Sequence, residues 1–380
     1  MFSSKLENLK SKNRYRSLRQ AGGIDLSSND YLGLKDHPEL QKAAIQAIEN
    51  GVGLGAGGSR LLRGNAPEHE ALEEFAAAHY GFERALYFSS GYAANYALWS
   101  TLPTRHDVIL YDALMHACAK DGFRSAPAKS VRVPHNDLNA FEDALKRFRS
   151  SAQTLWIAVE SVYSMDGDMA PLQELYALAC QYDAMMVVDE AHGTGVFGEG
   201  GRGLVFNALR CAGTLYDTPN KDWNKNLIVT HTCGKALGVA GGVICAANDT
   251  IDYMINAAMP FIFSTAPPPL QAYLTHKAIE LCDSAVGEQA RMKLQSLMTL
   301  AQDHLGGHGT QIVPIILGED QKALEAAFAL QDQGFDIRAI RPPTVPEGTA
   351  RLRLSLNAKL DEDALLKVLA LFYGCRTRAY

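Results

Sequence analysis

Val187-Val188-Asp189-Glu190-Ala191-His192-Gly193-Thr194-Gly195 is an apolar run that stops at a carboxylate and carries an imidazole three residues further on. A strand buried on both faces reads as such a run, and its C-terminal end is where an α/β sheet presents functional side chains. Thr232-Cys233-Gly234-Lys235-Ala236-Leu237-Gly238 repeats the pattern after a second run, Leu227-Ile228-Val229, and sets a lysine among small residues. Working outward, further apolar runs occupy 85–88, 108–111, 130–133, 155–159 and 242–246 beside 185–188 and 227–230. Segments of helical periodicity, 92–102, 138–148 and 171–182, lie between them. The alternation predicts an α/β fold, a mostly parallel seven-stranded sheet between helices.

The flanks read differently. Residues 1–22 are polar and basic (Lys10, Lys12, Arg14, Arg16, Arg19) and suggest an arm or helix. A helix over 38–49 starts at proline and stops before Gly51, and 67–80 is again helical. From about residue 280 helical stretches (287–305, 322–334, 362–371) alternate with strand-like ones (310–317, 336–340, 351–356). That order predicts a smaller α+β domain, giving an N-terminal segment 1–40, a large domain 41–280 and a small domain 281–380.

Bulk properties narrow the function. The chain has 380 residues, 47% hydrophobic and 21% charged, which suits an ordinary globular protein of two domains. The net charge of −6 without a basic block argues against nucleic acid. No apolar run is long enough for a bilayer, and the start lacks the apolar core of a signal peptide. Seven scattered cysteines with no C-x-x-C pair point to reduced thiols in a cytoplasm and to no metal site.

A carboxylate, an imidazole and an accessible lysine at strand ends suit pyridoxal 5′-phosphate (PLP): the lysine holds it as a Schiff base and Asp189 keeps its pyridine nitrogen protonated. His192 is then placed to bond the phenolic oxygen. Ser89-Ser90-Gly91-Tyr92 precedes a helix whose first N–H groups can take the phosphate. His116, past the run at 108–112, can stack on the ring. Each residue also has a plain reading: a surface lysine, a capping aspartate, loop histidines and an ordinary strand–helix turn. In Arg351-Leu352-Arg353-Leu354-Ser355-Leu356 an inward arginine needs an anion, and a substrate carboxylate is one; Arg351 and Arg353 share a face, and either fits. Gly53-Leu54-Gly55-Ala56-Gly57-Gly58 satisfies G-x-G-x-x-G, but a helix precedes it where a dinucleotide site needs a strand.

Together with Ser27-Ser28-Asn29-Asp30-Tyr31-Leu32-Gly33-Leu34, Gly57-Gly58-Ser59-Arg60 and Ser161-Val162-Tyr163-Ser164-Met165-Asp166-Gly167-Asp168, these segments resemble the α-oxoamine synthase family of fold-type I PLP enzymes. The resemblance spans nearly the whole chain. It implies a transferase with Lys235 as cofactor lysine and proton carrier at the amino acid's Cα, Asp189 on the pyridine nitrogen, His192 and Ser164 on the phenolic oxygen, and His116 on the ring. Gly91, Tyr92 and Thr232 would hold the phosphate. Ser264 and Thr265 would reach the phosphate of a neighbouring subunit, which implies a homodimer with active sites at its interface. Asn29 and Arg353 would take the amino-acid carboxylate; Arg341 and Thr344 would lie near the acyl substrate, with Arg14 or Arg16 a candidate for a distal carboxylate. Arg341-Pro342-Pro343-Thr344-Val345-Pro346 and His135-Asn136-Asp137 favour the member that condenses L-alanine with a pimeloyl thioester, on CoA or acyl carrier protein, in biotin biosynthesis. The alternative is a sister synthase: glycine C-acetyltransferase, 5-aminolevulinate synthase or serine palmitoyltransferase. More distant readings are a silent binding subunit and a nicotinamide-dependent dehydrogenase. One departure stands out: where the family usually has His-Ala-Ser, this chain has His116-Ala117-Cys118.

Overall fold

The computed structural model describes residues 2–211 and 225–376. They fall into two compact units: residues 32–163 with 169–211 and 225–291, and residues 2–31 with 164–168 and 292–376.

The first unit is built on a seven-stranded sheet. Its strand order is Arg84–Phe88, Gly242–Ala246, Leu227–Thr232, Ala184–Asp189, Leu155–Glu160, Val108–Asp112, Lys129–Val133. The five strands from Leu227–Thr232 onward are parallel, as expected for strands joined through helices. Gly242–Ala246 runs antiparallel to both neighbours. The reason is the loop before it: residues 233–241 are too few for a helical crossover, so the chain turns straight back. That turn carries Lys235. The helix Gly91–Thr101 packs its apolar face on the sheet, and Leu98, Trp99, Ile109, Phe123, Trp156, Val187, Ile228 and Ile244 form one buried cluster. Burying side chains of this size stabilises by about 1.5–3 kcal/mol each.

The second unit holds a three-stranded antiparallel sheet in the order Ala339–Ile340, Ala350–Ser355, Ile312–Gly318, with the helices Asp320–Gln331 and Glu362–Arg376. The single strand expected over 336–340 is two short pieces. Phe335–Asp336 pairs in parallel with Ile24–Asp25, and only Ala339–Ile340 joins the antiparallel sheet. The arm begins as the helix Ser3–Ser11, which has no buried residue. No helix among the described residues is long and apolar enough to cross a membrane.

Candidate active site

Asp189, Glu160 and Asp112 end three adjacent parallel strands, and the lysine turn follows the fourth. Lys235 Nζ lies 2.7 Å from His192 Nε2. Asp189, buried, accepts the Ala191 N–H on Oδ1 and the Asn95 amide on Oδ2, both at 2.9 Å. The Asn95 amide also donates to Gly91 O at 3.2 Å, and Asn95 Oδ1 accepts from Thr230 Oγ1 at 3.3 Å. Asn95 thus ties the carboxylate to the first turn of the Gly91–Thr101 helix. Its i+4 spacing from Gly91 is the signal that could have marked it in the sequence.

That helix begins in a tight cradle. Ser90 caps it, its hydroxyl accepting the Ala93 N–H at 3.0 Å. A Cβ on Gly91 would come within 2.1 Å of Thr232 Oγ1, and one on Gly242 within 2.7 Å of Gly91 Cα. Only glycine lets these backbones close, which leaves helix N–H groups beside the Thr232 side chain, an arrangement suited to a phosphate. Tyr92 is exposed, its hydroxyl donating to Asp121. Ser264 and Thr265 are exposed beyond the short helix Met259–Ile262, next to an exposed Phe263.

His116 caps the helix Ala117–Ser125 through Nδ1, which accepts the Cys118 N–H at 3.2 Å and lies 2.9 Å from Cys118 Sγ. Burial is the main cause holding its pKa below the ordinary histidine value, with Asp189 opposing and Lys235 adding to the shift. Burial likewise raises the Cys118 thiol far above its usual range, so the thiol is neutral and donates to Nδ1.

Two buried glutamates were not anticipated. Glu160 is pushed up to about 8, by burial first and by neighbouring Asp189 second; its Oε1 has no hydrogen-bond partner among the described residues. Glu190 rises to about 7 for the same first reason, though Ser161 Oγ and the Val205 N–H both donate to it at 2.6 Å. Gly193 makes room for it: a Cβ there would sit 1.7 Å from Glu190 Oε2. Neither glutamate ends a recognisable motif, so burial alone reveals them.

In the other unit Asn29, Ser164 and Arg353 share one network. Tyr31 OH donates to Asn29 Oδ1 at 2.9 Å and accepts from Arg353 Nη2 at 3.1 Å. Arg353 Nε donates to Ser164 O at 2.6 Å, and Nη1 donates to Ser355 Oγ at 2.5 Å. Arg351 is also buried, but it is ion-paired with Asp166 at 2.6 Å. No described carboxylate pairs with Arg353, so of the two it keeps the capacity for an anion. Arg14 is bonded to Asp320 and Glu347, each at 2.9 Å. Arg16 donates to Thr344 Oγ1 at 3.3 Å, and Arg341 to Asn13 O.

The glycine run 53–58 follows the helix Pro38–Glu49 and leads into a turn at Arg60–Gly64, so it lacks the strand–loop–helix setting of a dinucleotide site. Among the described residues no cluster fits a metal ion, and Cys118, Cys180, Cys233, Cys245 and Cys282 are free thiols. The side chains of Cys211 and Cys375 lie outside the described residues.

Comparison with known proteins places this geometry. The family model of aminotransferase class I and II matches residues 21–372. The chain belongs to that family, among its α-oxoamine synthases. An 8-amino-7-oxononanoate synthase of Geobacter sulfurreducens is 41% identical over 389 residues, covering 97% of this chain and 96% of the relative. A solved serine palmitoyltransferase variant from S. paucimobilis with bound PLP–myriocin superposes with a TM-score of 0.86 at 27% identity, covering 99% of this chain and 97% of that one. The 8-amino-7-oxononanoate synthase of Francisella tularensis gives a TM-score of 0.76 at 26% identity, covering 93% and 98%. The fold is the fold-type I transferase fold of these neighbours. The residues present fit PLP: the Gly91–Thr232 cradle for a phosphate, a buried carboxylate for a pyridinium nitrogen, and a lysine amine beside an imidazole.

Proposed function

We propose that the protein condenses L-alanine with a pimeloyl thioester, releasing CO2 and the thiol and forming 8-amino-7-oxononanoate, a step of biotin biosynthesis. The observation that carries this reading is the 41% identity over 97% of the chain with an enzyme of that name. The juxtaposition of Lys235, His192 and Asp189 supports the chemistry. PLP, when bound, supplies an electron-poor ring that takes up the charge left when a bond at the amino acid's Cα breaks.

The chain's own residues do the rest. Lys235 carries the proton away from Cα and returns one to the same carbon after CO2 has left. Asp189, held by Asn95 and the Ala191 N–H, keeps a proton on the pyridine nitrogen. His192 shares a hydrogen bond with Lys235 and is suited to the cofactor's phenolic oxygen, with Ser164 as second contact. His116, neutral and fixed by Cys118, packs against the ring. Gly91, Tyr92 and Thr232 take the phosphate. Asn29 and Arg353 hold the alanine carboxylate, so the bond to be broken is oriented rather than left to rotate. Arg341, Thr344 and an arginine of the arm serve the acyl substrate. The exposed Ser264, Thr265 and Phe263 suit a homodimer in which one protomer completes its partner's phosphate site. The free thiols suit a cytoplasmic enzyme.

A sister synthase is the second reading, because the serine palmitoyltransferase superposes better than the oxononanoate synthase, 0.86 against 0.76. Thiol release decides between them. Pimeloyl-, acetyl-, succinyl- and palmitoyl-CoA are each offered with alanine, glycine or serine. Release confined to pimeloyl-CoA with alanine is expected; release with another pair moves the enzyme to the sister activity.

A further inference from the structure

We infer that Glu160 is a positioning residue of this site: it stands beside Asp189 as the neutral member of a carboxyl pair and holds the backbone at His116, a role that rests on the site reading above.

Glu160 and Asp189 are register partners on adjacent parallel strands. Register partners set their side chains on the same face, with backbones about 4.8 Å apart. Both side chains are buried, Glu160 to 2% exposure. Two like charges at that spacing do not both persist out of water, so the pair keeps one proton. The hydrogen bonds decide which carboxyl holds it. Asp189 accepts the Ala191 N–H and the Asn95 amide, each at 2.9 Å, and these bonds stabilise its charged form. Among the described residues Glu160 has the His116 N–H against its carboxyl and no partner for Oε1. The charge therefore rests on Asp189 and the proton on Glu160.

The other charged groups around Glu160 leave that division in place. On the third strand, Tyr111 sits beside Ala158, so the same register turns Asp112 to the opposite face of the sheet. There the His135 ring and the N–H groups of Leu114 and Asn136 each meet Asp112 at 2.8 Å, and it adds least to the repulsion felt by Glu160. From the helix Ala117–Ser125, Lys120 faces Glu160, but its Nζ donates to Ala113 O at 3.1 Å and burial brings its pKa down. Cys118 on the same helix is a neutral thiol. Lys235 favours the ionised form of Glu160, against burial and Asp189, and the balance stands at about 8.

A neutral Glu160 does two things for the reaction. It accepts the His116 N–H and so fixes the turn from which the imidazole packs on the ring. It also leaves Lys235 Nζ to His192. An ionised Glu160 would hold Lys235 as an ammonium, and a lysine that keeps its proton cannot take one from Cα.

The test compares holoenzyme of wild type, Glu160→Gln and Glu160→Ala. Infrared spectra read the protonated carboxyl directly. Wild type is expected to show its carbonyl band in weak acid and to lose it as pH rises through about 8, and Glu160→Gln to lack it throughout. With the substrate pair that releases thiol, wild-type kcat should be full below that pH and fall about tenfold per unit above it. In Glu160→Gln the fall should move up by about one unit or more. Glu160→Ala, which offers the His116 N–H no acceptor, should lower kcat about tenfold at neutral pH, and Gln should restore most of it. A wild-type spectrum with no carboxyl band that Gln removes overturns the inference. So does a Glu160→Gln profile that coincides with wild type, or a Glu160→Ala enzyme as active as Glu160→Gln. If Glu160→Ala does not fold, the band and the Gln profile decide. If no pair releases thiol, the reaction reading fails, and the pH titration of the bound cofactor's visible absorption takes the place of kcat: a displaced curve in Glu160→Gln supports the role, and coincident curves remove it.

Discussion

Asn95→Ala tests whether the carboxylate of Asp189 works only because a second residue holds it. The side chain is buried and makes three hydrogen bonds: it donates to Asp189 Oδ2 and Gly91 O and accepts from Thr230 Oγ1. A hydrogen bond to a charged acceptor contributes about 1.5–3 kcal/mol and a neutral one about 0.5–1.5. Water entering the vacated space recovers part of this, so a net loss of about 2–4 kcal/mol is expected. With a melting entropy of about 2.1 cal/mol/K per residue, that lowers Tm by about 3–5 °C for a chain this long. The part that concerns Asp189 reappears as weaker cofactor binding, about 10- to 100-fold in Kd. Fluorescence titration of the apoenzyme with PLP and calorimetric melting measure both. Asn95→Asp gives a sharper version: two carboxylates about 4 Å apart repel by about 4 kcal/mol at an effective dielectric of 20, so one keeps its proton. The folded variant then binds a proton that the unfolded chain releases, and its stability falls as pH rises from about 4 upward. An Asn95→Ala variant with PLP affinity within threefold and Tm within about 1 °C of wild type would refute the reasoning.

Glu160 gives wild type the same slope. Its pKa rises from 4.5 to about 8, so stability that depends on its bound proton drains away as pH climbs through that window. Glu160→Gln should therefore gain on wild type between pH 5 and 8.5, and parallel urea midpoints across that range would dismiss a protonated Glu160. Arg353→Lys should raise the KM for the amino acid about 10- to 100-fold, whereas Arg351→Lys should leave it near wild type, since Arg351 is engaged with Asp166; steady-state kinetics with the order reversed would exchange the two roles. Gly193→Ala drives a methyl group to within 1.7 Å of Glu190 Oε2 and 2.7 Å of Ser161 Oγ. Breaking that buried hydrogen bond should cost about 1.5–3 kcal/mol, and an unchanged melting curve would show that the loop absorbs the methyl.

The legible part of the site is the part written in short range. Asp189, His192 and Lys235 lie at the ends of apolar runs, so the strands and the candidate site were read from the same residues. Helix boundaries with chemical punctuation were equally plain: Pro38–Glu49 begins at proline after His37, whose ring accepts the Glu39 N–H, and ends before Gly51, where φ is 81°. The segment 336–340 misled because its two halves find different partners, Ile24–Asp25 and Ala350–Ser355, neither adjacent in sequence. Glu160 and Glu190 stayed silent because one carboxylate in a chain of many says nothing until its burial is known.

By itself, then, the sequence determined the α/β class, the strand ends that bear the lysine and the acid, and the turn Ser89–Tyr92 between an apolar run and a helix. These follow from apolar periodicity, a local property. Only the tertiary structure decided that Asn95 holds Asp189, that Arg351 is matched by Asp166 while Arg353 is not, and that cations from residue 10 to residue 341 surround one hollow. Those are questions of which charge meets which, and a charge finds its partner in space, hundreds of residues away along the chain.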